Sequence, residues 1–188
     1  LHLSLRRQRQ MCIRDRWVGV HERFPAFRIK VKDLDSQSQV LMVDDGGFVF
    51  RNIGFPDHMI DELPFLAGVK LHDTEMGYLP IAGVSRLAEL LRIARTEFPR
   101  ITEDWVIVFA DQLIIADSFT EGYIRVRSRS VKEILFSPQD FRQQLEKLEY
   151  ILDSQRGTSV SSITKVNLSL VDQPTVVFAH NAYPKSYQ

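Results

Sequence analysis

His58 follows Asp57, Asp61 and Glu62 lie just beyond it, and the pair His72-Asp73 comes a short distance downstream. Imidazole and carboxylate together suit divalent cations. His58, His72 and Asp73 are therefore the residues through which a metal-assisted hydrolase would work. Metal sites of that kind usually draw their ligands from regular elements at defined spacing. These residues instead sit in an irregular stretch, where loop polarity and turn chemistry explain them as well. Asp44-Asp45 with Asp33 or Asp35 would supply an acid/base couple, which needs two carboxylates at a fixed separation. Asp before Gly in Asp44-Asp45-Gly46-Gly47 is equally the signature of a hairpin turn. The chain has no G-x-S-x-G elbow and no glycine loop of the kind that cradles phosphate. Its single cysteine is Cys12. Arg125, Arg127 and Arg129 alternate with Ile124, Val126 and Ser128, which places three guanidinium groups on one sheet face. No aromatic residue interleaves them, so a solvated face is favoured over a phosphate or acidic-partner patch. The residues thus form no catalytic constellation, and the chain reads as a non-enzyme with no cofactor and no metal.

The C-terminal region offers a different chemistry. Thr175 to Ala179 reads T-V-V-F-A, β-prone and uncharged, after Pro174 and before an irregular Asn181–Pro184. A strand of that kind at a sheet edge exposes backbone N–H and C=O groups on which another chain can build. An interior strand has the same pattern. Proline at 177 would delete one ladder donor.

Several elements must position these residues. Phe27 to Lys32 alternates apolar and basic residues, the period of a strand with one wet face. Trp17–Glu22 and the turn at Phe24-Pro25 suggest its hairpin partner. Val40–Val43 and Phe48–Phe50 flank the Asp-Gly turn as a second hairpin. From Arg51 to Gly83 the pattern is irregular and suggests a structured connection. Ser85 reads as the cap of a helix to about Phe98, with Leu87, Leu90, Leu91, Ala94 and Phe98 on its inner stripe and Pro99 ending it. Strands are expected at Trp105–Ala110, Gln112–Ala116, Tyr123–Arg127 and Val131–Phe136. Ser137-Pro138 opens a second helix, with Phe141, Leu145, Leu148 and Leu152 inward. Strands at Ile163–Leu170 and Thr175–Ala179 follow a Gly/Ser/Thr-rich loop, Gly157–Ser162. The order predicts an α+β fold, a mostly antiparallel sheet with two packed helices.

The first sixteen residues are of another kind. Arg6 to Asp15, R-R-Q-R-Q-M-C-I-R-D, is the codon-by-codon translation of a transposase-type sequencing-library adapter. Leu1–Arg16 is accordingly read as a non-native segment and is expected to show no coherent packing. The chain carries 24 basic and 24 acidic residues; setting aside the segment's five arginines and one aspartate leaves 19 against 23. The apparent neutrality, the only basic cluster and the only cysteine all belong to that segment. What remains is a mildly acidic chain with nothing that points to nucleic acid.

From Trp17 to about Phe178 the order of motifs resembles the FtsQ/DivIB family of bacterial cell-division proteins. The residues that carry the likeness are Trp17-Val18-Gly19-Val20, Arg23-Phe24-Pro25, Phe27–Val31, Val43–Phe50, Leu63–Gly68, Trp105–Val108 and the helix with Phe141, Leu145 and Leu148. Two family motifs are replaced: Asn167-Leu168-Ser169 stands where Asp-Leu-Arg is usual, and Asp33–Ser36 stands where an acid-Arg, Pro-Val/Ile run is usual. The resemblance implies residues 17–35 as the C-terminal hairpin of a truncated POTRA domain, 36–182 as an FtsQ-type β domain and 183–188 as a tail. It implies a non-enzymatic divisome scaffold in septum formation. The parent protein would be a single-pass protein of the bacterial inner membrane, with this region on the periplasmic side and the anchor upstream. The implied partner is an FtsB/FtsL-like pair, bound by strand addition at Thr175, Val176, Val177, Phe178, Ala179 and His180, with Tyr183 extending the surface. Another POTRA-containing membrane-assembly scaffold is the alternative of the same class.

Overall fold

The computed structural model describes residues 11–13, 16–18, 22–32, 38–75, 77–114, 122–155, 163–170 and 173–179. The fold is α+β. A nine-stranded sheet runs through it, formed by β3 (Pro25–Lys32), β4 (Ser38–Asp44), β5 (Val49–Phe50), β6 (Phe65–Ala67), β9 (Trp105–Phe109), β10 (Ile124–Ser128), β11 (Glu133–Phe136), β12 (Ile163–Asn167) and β13 (Thr175–Phe178), in the order β13-β12-β11-β10-β9-β6-β3-β4-β5. Pairing is antiparallel except at β11–β12, β9–β6 and β6–β3. Two short hairpins stand apart, β1 (Met11–Ile13) with β2 (Arg16–Val18), and β7 (Asp73–Thr74) with β8 (Gly77–Tyr78). The helices are α1 (Asp57–Asp61), α2 (Val84–Glu97), α3 (Pro99–Thr102), α4 (Asp111–Ile114) and α5 (Phe141–Ser154).

Alternation dictates which face each strand buries. In β3, Phe27 and Ile29 are buried while Lys30 is exposed. In β10, Ile124, Val126 and Ser128 turn inward while Arg127 is exposed. The inner face packs against Leu87, Leu90, Leu91 and Ala94 of α2 and Phe141, Leu145 and Leu148 of α5. A smaller cluster, Met42, Ile60 and Leu63 with Phe50 and Phe55, lies beneath α1. Met42 alternates with the main-core residues Leu41 and Val43, so α1 covers the opposite face of the sheet. At the surface, Arg142 of α5 donates from Nε and Nη2 to the two carboxylate oxygens of Glu97 in α2, at 2.7 and 2.6 Å. The bond to Arg142 holds the Glu97 carboxyl below its ordinary range. A carboxyl depressed on folding contributes stability above its unfolded pKa and loses it as pH falls through the folded one. Arg142→Ala should therefore lower the melting temperature modestly at pH 7. The difference from the parent should shrink as pH falls below about 4.3, the unperturbed Glu value. A gap that widens in acid would contradict this assignment.

The structure corrects several expectations. β3 takes β4 and β6 as neighbours rather than Trp17–Glu22. Trp17 instead pairs with Cys12, so the stretch read as non-native, Leu1–Arg16, takes part in one ladder where none was expected. The strands on either side of residue 35 pair along their length. Within the stretch read as an irregular connection, Phe65–Ala67 is an interior strand. It went unread because three residues between Pro64 and Gly68 give no periodicity to see. Gly83, in the left-handed region at φ 79°, is the N-cap of α2, and Ser85 lies inside the first turn. α2 ends at Glu97 with Phe98 as its C-cap, before Pro99 as expected, and Pro99 then opens the short α3 at its first position. Leu113 and Ile114 belong to α4 and not to a strand; a short apolar run does not distinguish the two. Ser137-Pro138 precedes the start of α5, whose N-cap is Asp140 at φ 52°. The buried amide of Gln144, in the first turn of α5, pins the approach to the helix: it accepts from Ser137 N at 2.7 Å and donates to the carbonyls of Ser137 and Gln139. The Gly157–Ser162 loop lies outside the described residues.

Candidate partner-binding edge

Among the described residues, β13 is the terminal strand of the sheet. It pairs antiparallel with β12 through Asn167↔Thr175, Val166↔Val176, Lys165↔Val177 and Ile163↔Phe178, with a bulge between Ile163 and Lys165. Paired residues share a face. Val176 therefore joins buried Val166 on the core side, where it packs against the main cluster. Val177 lies with Lys165 on the outer side. Val177 is 50% exposed and Phe178 43%; Thr175 is also exposed and Ala179 half-buried. His180 and Tyr183 lie outside the described residues. Natural sheets blunt their edges with charged side chains, Pro or very short strands. β13 carries no charge, and Pro174 stands before the strand rather than in it. The opposite edge is blunted: it ends in the two-residue β5 beside the polar start of β4, Ser38 and Gln39.

The other candidates have structural roles. Asp44 Oδ1 accepts from the backbone N–H groups of Gly46 and Phe48 at 3.0 and 2.8 Å. Its Oδ2 meets Arg23 Nη1 at 2.5 Å, and that guanidinium lies 4.0 Å from the Phe48 ring centroid. Asp44 thus builds the β4–β5 turn; its suggested partners Asp33 and Asp35 lie outside the described residues. The backbone carbonyl of His58 accepts from Glu62 N near the end of α1, and that of His72 from Leu79 N across the β7–β8 hairpin. Among the described residues no three His, Cys, Asp or Glu side chains gather where a metal ion would need them. The three arginines do not form one patch. Arg125 lies 4.0 Å over Phe109 and 3.4 Å from Asp111 Oδ2. A register shift at Arg127/Ser128 ends the alternation, and Arg129 follows the strand, its N–H donating to Asp104 O.

A groove of about 860 Å³ opens at the N-terminal ends of the parallel strands β3, β6 and β9. Arg28, Arg95 and Arg129 line it opposite Asp61, Glu62 and Glu103. Arg28 is bound to Asp61 at 2.9 Å, and Arg95 donates to the Glu62 carbonyl at 3.1 Å. Its charges therefore balance within the wall, and burial lowers the pKa of Arg95. No signal in the sequence pointed to this groove, because its residues come from five separated segments.

Compared with models of known protein families and with curated proteins, the chain matches none.

Proposed function

We propose that this chain is part of a non-enzymatic scaffold of the bacterial divisome, binding an FtsB/FtsL-like partner by strand addition at β13. The observation that supports the reading is the uncharged β13 edge, unpaired on its outer side among the described residues, with Val177 and Phe178 half exposed. Strand addition uses the unpaired main-chain groups for affinity and alternate side chains for register. The order of elements, with a helix packed under the closing strands, also fits the FtsQ/DivIB resemblance. That resemblance supplies the cell-division role and the placement at the inner membrane on the extracytoplasmic side. No helix among the described residues is long and apolar enough to cross a membrane; in this reading the anchor belongs to the upstream part of the protein.

Val177→Glu and Phe178→Glu test the reading, with calorimetric titration against the FtsB–FtsL-like pair from the same genome. A carboxylate placed under an added strand must shed its water without a partner, which costs more than the roughly 1–3 kcal/mol of an unpaired neutral polar group unless the side chain turns out to solvent. Each variant should weaken binding about 10- to 100-fold. Val177 lies on the outer face, so its variant should hardly change the melting temperature, whereas Phe178 shares a face with buried Ile163 and its variant should lower it somewhat. Unaltered affinity in both variants would remove the edge from the mechanism.

A further inference from the structure

The groove at the N-terminal ends of β3, β6 and β9 has buried donors to spare. Arg28 Nε and Trp105 Nε1 are shut off from solvent without a hydrogen-bond partner, and both residues line the groove. Two contacts fix Arg28: Nη1 donates to Asp61 at 2.9 Å, and the guanidinium lies 4.1 Å from the Phe65 ring centroid. Nε is left over. Trp105 is 5% exposed, its ring held against Phe136, and its indole N–H is likewise unmet. Among the described residues, no side-chain acceptor buried in this groove lacks a donor. A sheltered N–H without an acceptor is costly, so an acceptor arriving here recovers that cost.

Charge and shape narrow the choice of occupant. Arg28, Arg95 and Arg129 stand against Asp61, Glu62 and Glu103, so an ionic guest of either sign meets like charges in the lining. Phe24, Pro25, Met59, Leu63, Pro99 and Val106 supply apolar wall, with Phe24 69% and Met59 42% exposed. The volume, about 860 Å³, falls within the roughly 300–1,000 Å³ of ligand-binding clefts. An ordinary neutral peptide brings an N–H with every residue, and the wall has no spare buried acceptor to receive them. Proline brings a carbonyl and no N–H. In the polyproline II conformation those carbonyls carry no internal hydrogen bonds.

We propose that this groove binds an uncharged, proline-rich segment of a partner protein in the polyproline II conformation. Main-chain carbonyls of the segment accept from Arg28 Nε and Trp105 Nε1, and its proline rings pack on Phe24 and Met59. Proline-rich segments dock in aromatic-lined grooves in this manner, at low entropic cost because their conformation is preformed. Neither nitrogen is open to solvent in the free chain, so the wall gives way as the carbonyls arrive. Met59, unbranched and exposed, is the side chain suited to that. β10, β11 and β12 lie between β9 and β13, so the site is separate from the strand edge and does not rest on it.

Capped peptides test the proposal on the full chain. Trp17→Phe leaves Trp105 as the only tryptophan, so a single indole N–H signal in proton–nitrogen NMR reports on the site. Ac-Pro-Pro-Leu-Pro-Pro-NH2 should move that signal downfield and saturate, whereas Ac-Ala-Ala-Leu-Ala-Ala-NH2 should bind at least about 10-fold more weakly. Equal affinities, or no saturation by about 5 mM, would overturn the proposal. Placing Glu or Lys at the centre of the proline peptide should weaken binding in both cases. A gain with either charge would refute a neutral occupant.

Two variants locate the site. Arg28→Lys keeps a cation beside Asp61 and removes Nε, and Phe24→Ser removes a ring that the fold leaves exposed. Each should lose at least about 5-fold in affinity for the proline peptide. Phe24→Ser should keep the thermal transition of the parent, so it decides the matter even if Arg28→Lys does not fold. Full affinity in Phe24→Ser would place the peptide elsewhere and overturn the proposal. Val177→Glu, at the β13 edge, should bind the proline peptide as the parent does. A loss in that variant alone would assign the peptide to the strand edge and refute the groove.

Discussion

Gly47→Ala is expected to cost about 3–5 kcal/mol of stability. Gly47 has φ 86°, and a Cβ built there would run into the carbonyl oxygen of Ile81. The contact cannot relax cheaply, because Ile81 N donates to Gly47 O at 2.9 Å and ties the two backbones together. Two costs combine. A non-glycine residue in the left-handed region costs about 1–3 kcal/mol, and forced overpacking costs about 1–3 kcal/mol more. Gly54→Ala is the matched control, at φ 87° with nothing within 4 Å of its Cβ. It should lose only the conformational part, about 1 kcal/mol. Urea titration reads both as a lower midpoint at unchanged slope. Equal losses in the two variants would mean that the approach to Ile81 contributes nothing.

Phe136→Ala should be comparably damaging. Phe136 is fully buried in β11, and its ring centre lies 5.7 Å from that of Trp105 at a 53° tilt. Removing a buried Phe side chain costs about 3–5 kcal/mol, the transfer loss plus the cavity left behind. Against a usual total of about 5–15 kcal/mol, that is a large share. The loss should be seen twice: in the urea midpoint, and in the near-ultraviolet dichroism of Trp105, whose tilted neighbour is gone. An unchanged aromatic spectrum in the folded variant would show that the Trp105–Phe136 contact does not order the indole. A loss below about 1 kcal/mol would show that the core closes over the gap.

The parts of the fold that were legible in the sequence are those whose pattern repeats. Leu87, Leu90, Leu91 and Ala94 announced one helix and Phe141, Leu145 and Leu148 the other, because a buried stripe must recur at the helical period. Asp44 before two glycines announced the β4–β5 turn, and its side chain accepts the very N–H groups that such a turn leaves free. The uncharged run at 175–178 was legible as a strand. Its place at the edge was not, since an edge is a property of the whole sheet. The rest was hidden for stated reasons. Helix starts at Gly83 and Asp140 use left-handed backbone instead of a capping hydroxyl. Gln144 holds the backbone of Ser137, seven residues upstream, through a contact that no local rule reads. Leu113 looks like a strand residue until the chain turns at Asp111. The pairing of β3 was misread because Trp17–Glu22 lies beside it in sequence, whereas β4 and β6 lie beside it in space.

The three-residue strand β6 has a consequence for how this chain can vary. It joins β3 on one side and β9 on the other, and both joints are parallel. A hairpin turn cannot set the register of a parallel joint; side chains must do it. Leu66, 3% exposed between half-buried Phe65 and Ala67, is the only β6 residue committed to the main core. Deleting or inserting one residue between Pro64 and Gly68 would rotate Leu66 to the other face. The β3–β5 half of the sheet would then lose its alignment with the β9–β13 half. Indels, which most surface connections of a domain absorb, have no place to go here. Over divergence, the spacing across Leu63–Gly68 should stay fixed in length even where its letters change.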